Sequence, residues 1–356
     1  INNLKGAIGP WATLLCGNIC IDQEGVQDDL FAIVDRLSEK YSFKSTVIVL
    51  LSMLCRRINL LTNQDIKTAS VYLAHIEECD AMEAIFSEFL HDIKSKFKYE
   101  LTFMPCILIT DETVDHIFWE MLSPDQEVCR ISSLYMLEKM FRKYEKSIAN
   151  GYINLSIKHG VSLINPDKTL RKMEQRMHSF LSYWVPDWKS YCGEILTHEN
   201  LIQCFQSSDT FIYCGHGSGL QYTNGYKITE LYINSVIFLF GCDSVRLRSD
   251  GLHSEFTGSH IYYHAALSPA IVGCSIIAFD TQLDTISSEI LSTWIPSKLY
   301  FRHSVEDNLN SAPTPYEPSL SLILSKVRAN ENQKMYNRIL LIYRGLPVWN
   351  TCAESV

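Results

Sequence analysis

The chain has 356 residues, 47% of them hydrophobic and 20% charged, with a formal net charge of -9. At about 150 residues per domain this length predicts roughly two domains, each with its own core, and the composition excludes a disordered chain. The acidic balance, with no long Lys/Arg block, predicts no direct nucleic-acid binding and favours cationic peptide ligands.

Apolar residues recur at helical spacing over 27–41 (Leu30, Phe31, Ile33, Val34, Leu37) and over 81–97 (Ile85, Phe86, Phe89, Leu90, Ile93, Phe97). Residues 1–98 therefore read as a mainly helical segment, a candidate substrate-binding part. From residue 101 strand and helix patterns alternate: strand 106–110, helix 134–147, strand 161–164, helix 171–184, then strands 210–214 and 236–240. A strand over 270–279, helices over 283–294 and 319–335, a proline-rich loop at 311–318 and a last strand at 338–343 complete the chain. Such alternation predicts an α/β domain over 99–356, a largely parallel sheet with helices on both faces.

Twelve cysteines are scattered without a Cys-x-x-Cys pair or zinc-ligand spacing, which predicts reduced thiols in an intracellular protein and no metal. No signal peptide is expected, and the longest apolar run, 45–55, is too short to span a bilayer, so no membrane association is expected. The chain begins at Ile1 rather than methionine, which predicts a piece of a longer polypeptide.

Two segments carry chemistry: Phe211-Ile-Tyr-Cys-Gly-His-Gly-Ser-Gly219 and Val236-Ile-Phe-Leu-Phe-Gly-Cys-Asp-Ser244. Each is a short apolar run of the kind that forms a buried parallel strand, ending in glycine beside a reactive side chain. Open α/β sheets place their sites at such carboxyl edges. A free thiol, with a pKa of about 8.5, is mostly protonated at neutral pH and needs a base. Adjacent strands bringing His216 to Cys242 would supply one, with His216 taking the thiol proton and later protonating the leaving amine. The N–H groups of Gly217 and Cys242 are the expected oxyanion donors. No carboxylate is fixed by the sequence as a partner of His216, so the reading is a Cys–His dyad. A lone buried cysteine is commonly an inert hydrophobe, and a lone His-Gly a common turn; the pairing at two strand ends carries the inference.

The two segments resemble the histidine and cysteine motifs of the separase family, caspase-like (clan CD) cysteine endopeptidases. The likeness continues at Ile164-Asn-Pro-Asp-Lys-Thr-Leu170, at Trp119-Glu120 with Arg130-Ile-Ser-Ser-Leu134, at Gly258 to Tyr263 and at Tyr343-Arg-Gly-Leu-Pro-Val348. It spans roughly residues 100 to 350. It implies a caspase-like fold preceded by a mainly helical segment, and a cysteine endopeptidase without cofactors.

There are departures. Ala266-Leu-Ser-Pro269 stands where the family usually has Ala-Gly-Cys-Pro, and Phe279-Asp-Thr-Gln-Leu-Asp284 where it has Trp-Asp-Val-Thr-Asp. Asp243 replaces a usual serine, and its charge would oppose thiolate formation unless it points elsewhere.

The family cuts after arginine in Glu-x-x-Arg sequences, and a buried guanidinium needs carboxylates to receive it. Asp280 aligns with the first aspartate of the altered motif and Asp284 lies one turn on, so both are candidate substrate-binding residues. Alternatively, the two acids form the cap and first turn of the helix that follows. The resemblance further implies a cohesin kleisin substrate cut at anaphase to release sister chromatids, a securin-type pseudosubstrate inhibitor, and a cytoplasmic location with access to nucleus and spindle.

Other features read as structural. His253, His260 and His264 lack thiols or carboxylates at ligand spacing and are expected as surface or packing residues. Gly215 to Gly219 lacks the P-loop Lys-Ser/Thr pair and dinucleotide glycine spacing. Trp119 reads as a core anchor. The competing functional classes are a caspase-like peptidase of the bacterial CHAT type and a catalytically dead binding module.

Overall fold

The computed structural model describes residues 10–11, 19–21, 26–97, 101–249, 251, 256–296 and 316–352. The chain divides into two compact units, Ile1–Cys106 with Trp119–Gln126, and Ile107–Phe118 with Glu127–Val356.

In the first unit, helices α1 (Val26–Tyr41), α2 (Ser45–Cys55), α3 (Asn63–Ile76) and α4 (Met82–Lys96) pack around Val34, Val47, Leu51, Ile66, Phe86 and Leu90. The 45–55 run is thus a core helix, burying Val47, Leu51, Leu54 and Cys55. A capping box fixes the start of α3: Thr62 Oγ1 accepts from the Asp65 N–H at 3.1 Å, and Asp65 Oδ2 accepts from the Thr62 N–H at 2.8 Å. Such a cap contributes about 1 kcal/mol.

The second unit is built on eight strands: β1 (Cys106–Leu108), β2 (Val128–Arg130), β3 (Gly160–Ile164), β4 (Lys189–Cys192), β5 (Thr210–Cys214), β6 (Val236–Phe240), β7 (Ala270–Cys274) and β8 (Leu341–Gly345). Their order across the sheet is β1-β2-β8-β7-β6-β5-β3-β4. The pairs β2–β8, β7–β6, β6–β5, β5–β3 and β3–β4 are parallel; β7–β8 is antiparallel. The sheet is therefore largely parallel, as expected.

Strands β3, β5, β6, β7 and β8 are buried along their whole length, which is why β5, β6 and β7 read as predominantly apolar runs; β3 carries a buried serine and β8 a buried arginine. Alternate residues serve opposite faces. Ile212 and Cys214 join α5 (Leu134–Tyr144), α6 (Arg171–Trp184), α9 (Asp280–Trp294) and α10 (Leu320–Ala329) in one core. Phe211 and Tyr213 join α7 (His198–Ser207) and α8 (Ser259–Ala265) in another.

Several boundaries differ from the sequence expectation. The apolar stretch 270–279 is a strand only as far as Cys274; beyond it the chain wraps the loop after β6, with the Asp243 N–H donating to Ile276 O at 3.1 Å. The helix expected from 283 begins at Asp280. The helix expected over 319–335 ends at Ala329, because Asn330, Glu331 and Asn332 form a polar turn before the short helix Met335–Arg338. The last strand starts at Leu341, three residues later than expected. Residues 311–315 of the proline-rich loop lie outside the described residues.

A buried ionic cluster explains two of the family-like motifs. Arg344, on β8, grips Asp115 with both terminal nitrogens, at 3.0 and 2.6 Å, while Arg130, opposite it on β2, donates to the carbonyls of Asp115 and Ile117. Burial works against the Asp115 charge, but the two guanidinium groups outweigh it and hold the carboxyl below its ordinary range. The cluster ties the 111–118 loop to the sheet.

Candidate active site

Parallel pairing sets Cys214 of β5 level with Phe240 of β6, so Gly215-His216 and Gly241-Cys242 emerge side by side at the carboxyl edge. Adjacent strands lie about 4.8 Å apart. The two turns are closer still, because Gly241 is pressed against the histidine loop. A Cβ there would stand 2.1 Å from Gly217 O and 2.4 Å from Gly215 O, so only glycine fits. Gly217 itself has φ +62°. The His216 carbonyl is fixed by the Tyr213 hydroxyl at 2.6 Å and by Gln221 Nε2 at 2.8 Å. Gly241 thus has a steric and Gly217 a conformational reason, and a Cβ at Gly215 would stand 2.6 Å from the Tyr213 hydroxyl.

The Cys242 thiol rests against the segment after β7, donating to Ala278 O at 3.2 Å and accepting from the Ala278 N–H at 3.3 Å. The N–H groups of Gly217 and Cys242 make no hydrogen bond to another described residue. On the other side, His216 Nε2 lies 3.1 Å from Thr169 Oγ1.

Asp243 has φ +52°, a left-handed conformation that Asp adopts more readily than most residues. Its side chain is mostly buried and its charge is taken by Arg248 at 2.7 Å and Arg246 at 3.6 Å. The carboxylate is thus neutralised by a pair of arginines that sequence reading did not single out.

Asp280 and Asp284 do lie on one face, at the start of α9, and a single guanidinium spans them. Arg176 of α6 donates from Nε to Asp284 Oδ2 at 2.6 Å and from a terminal nitrogen to Asp280 Oδ2 at 2.9 Å. The helix cap is Phe279 rather than either acid; Asp280 occupies the first turn, where its charge suits the helix dipole. Asp284 is nearly buried, at 8% side-chain exposure. Desolvation pushes its carboxyl up to about 6 despite Arg176, whereas the Arg176 hydrogen bond holds the more exposed Asp280 below its ordinary value.

Arg176 was hidden in an amphipathic helix, where it flanks the buried Met173 and Met177. Its position beside the apolar stripe was the available signal. His260 and His264 are packing residues, each 1% exposed; burial pushes the His264 imidazole down to about 3. His253 lies outside the described residues. No cluster of three or more metal-ligating side chains occurs among the described residues.

A helix-flanked, largely parallel sheet with cysteine and histidine turns at its carboxyl edge defines an α/β domain with a candidate thiol site at that edge. The chain belongs to the separin protease-domain family: the family model "Separin, protease domain" matches residues 24–274. The match begins in α1's approach, well before residue 100, so the helical segment is part of what the family shares, which the motif resemblance had not reached. With the family established, the CHAT-type alternative is set aside.

Separin from Schizosaccharomyces pombe is 24% identical over 273 residues, covering 76% of this chain and 14% of the relative. Separin from Saccharomyces cerevisiae is 27% identical over 241 residues, covering 65% and 14%. Separin from Mus musculus is 23% identical over 250 residues, covering 69% and 12%. The chain therefore spans about one seventh of the length of these relatives. Two crystal structures of the Saccharomyces cerevisiae separase–securin complex superpose on 98% of the chain with TM-scores of 0.74 and 0.72, at 17% and 19% identity, and cover 24% and 25% of those chains.

Proposed function

We propose that the chain is the catalytic part of a separase, a cysteine endopeptidase in which Cys242 is the nucleophile and His216 the general base and acid. The observation that carries this reading is the close approach of Gly241 to the carbonyls flanking His216, which leaves the two reactive side chains on neighbouring turns. His216 takes the thiol proton as Cys242 Sγ attacks the scissile carbonyl carbon. The resulting oxyanion is received by the N–H groups of Gly217 and Cys242. The carbon–nitrogen bond then breaks, and His216 returns the proton to the departing amine. Water, deprotonated by His216, hydrolyses the thioester and restores the thiol.

In this reading the protease domain is 99–356 and the helical segment 1–98 serves substrate binding. Cleavage follows arginine in Glu-x-x-Arg sites of a cohesin kleisin, releasing sister chromatids at anaphase. The substrate guanidinium takes the seat that Arg176 holds across Asp280 and Asp284; that seat, already accommodating a guanidinium, supports the specificity. A securin-type inhibitor occupies the site as pseudosubstrate, and the similarity to the yeast separase–securin complex supports that partner. The protein acts in the cytoplasm with access to nucleus and spindle.

The test is covalent capture by an arginine-ended electrophilic peptide. Mass spectrometry should find the adduct on Cys242, and Cys242→Ser should abolish both capture and peptide cleavage without unfolding the chain. His216→Ala should slow turnover by about a hundredfold or more. A folded native protein that neither captures the peptide nor cleaves would leave the dead-module reading standing.

A further inference from the structure

Thr169 stands in the Ile164 to Leu170 motif, to which the catalytic reading assigns no role. Its hydroxyl faces two partners: His216 Nε2 at 3.1 Å and Asp167 Oδ1 at 2.9 Å. A threonine hydroxyl has one proton to give, and an ionised carboxylate can only accept. The proton therefore goes to Asp167, and the threonine oxygen must accept from His216. That requires Nε2 to carry the ring hydrogen, and it leaves Nδ1 unprotonated. From the sequence alone His216 had no such partner.

The turn that presents Thr169 is fastened to the histidine strand itself. Asn165, fully buried, donates its N–H to Cys214 O at 2.7 Å, and Cys214 is only two residues before His216. Its side-chain oxygen accepts from the Leu170 N–H at 2.9 Å, and its amide nitrogen donates to Glu174 at 2.6 Å. Inside that clamp Asp167 also accepts from the Thr169 N–H at 3.3 Å. Asn165 and Lys168 have φ of +48° and +64°. For Lys168 this is an unfavourable conformation, retained because the surrounding bonds over-determine the turn.

We infer that Thr169, held by Asp167, is the positioning residue of His216: it fixes the imidazole as the Nε2–H tautomer and reserves Nδ1 for the Cys242 proton. The inference rests on the proposed catalytic role of His216. When Nδ1 takes that proton, the imidazolium keeps its Nε2–H bond to Thr169 and gains the field of the Asp167 carboxylate one hydroxyl away. The arrangement performs with a threonine interposed what a directly bonded carboxylate does in a Ser-His-Asp triad.

The test compares Thr169→Val, which keeps the shape and removes the acceptor, with Thr169→Ser, which restores it. Two readouts on the full chain are independent. Nitrogen-15 NMR of labelled histidine reports the His216 tautomer without needing turnover. The pH profiles of kcat and of kcat/KM for an arginine peptide report its protonation in catalysis. Thr169→Val should give a mixture of tautomers, a shifted pH profile and kcat lowered by about tenfold or more with KM little changed. Thr169→Ser should recover the single tautomer and most of kcat. Because Thr169 is exposed, melting should be nearly unchanged in both. A native tautomer in Thr169→Val, or a serine variant as poor as the valine, overturns the inference. If the native protein shows the Nε2–H tautomer but no adduct on Cys242, the catalytic reading has failed and the tautomer assignment stands.

Discussion

Asp284 is a carboxyl with a conflict built into it: it is nearly buried, yet the guanidinium that bonds it is shared with Asp280. Its folded pKa, about 6, lies above its ordinary value of 3.8, so between those values the folded state binds more protons than the unfolded. The contribution of Asp284 to stability must then rise as pH falls from about 6 towards 4. Asp280 has the opposite sign: its lowered pKa gives stability that is present at neutral pH and lost as the pH falls through that depressed value. Denaturant unfolding across pH 4 to 7 should show an acid-stabilised arm in the native protein that Asp284→Asn lacks; an identical slope would remove Asp284 as its source. The same variant tests specificity. If the acids receive a substrate guanidinium, losing one charge-assisted bond of about 1.5–3 kcal/mol should cut kcat/KM for arginine peptides by roughly ten- to a hundredfold. Normal cleavage of arginine peptides by that variant would leave the two acids as partners of Arg176 alone.

At the scale of elements, the site depends on how closely β5 and β6 can end beside each other. Gly241→Ala would set a methyl group against two backbone carbonyls, which cannot rotate away, so the strand ends must part. Overpacking of this kind costs about 1–3 kcal/mol, and here it also separates the turns of His216 and Cys242. Thermal melting should fall by several degrees, and labelling by the arginine-ended electrophile should fall much further than labelling by a small thiol reagent. New labelling of the buried Cys214 and Cys274 by the small reagent would point to general unfolding instead. These two strands were legible because each is buried on both faces and bounded by glycine, so composition alone marks them. The 270–279 run has the same composition, but its second half leaves the sheet to bond the cysteine loop through its backbone, with Ile277 and Phe279 exposed, a tertiary use that no local period encodes. Thr169 and Arg176 were illegible for a related reason. A threonine in a turn and an arginine on an amphipathic helix are ordinary locally, and acquire roles only from partners 47 and 108 residues away.

At the scale of the whole molecule, the described residues form three apolar cores, and each contains a buried cysteine: Cys55 among the first four helices, Cys214 on the α6 and α9 face of the sheet, and Cys204 on the α7 face. Burial pushes the Cys55 thiol up to about 12, so both access and ionisation protect it in the folded state. Its alkylation must proceed through an opened state, at a rate proportional to the population of that state. Leu51, four residues earlier on α2 and fully buried, is packed in the same core. Leu51→Ala leaves a cavity and costs about 2–5 kcal/mol, which raises the opening constant by at least about thirtyfold if the opening exposes that core. Alkylation of Cys55, followed by mass spectrometry in the native buffer, should accelerate by that factor in the variant. An unchanged rate alongside a lowered melting temperature would mean that Cys55 is reached by a local fraying of the end of α2, where it is the last helical residue, and not by opening of the core.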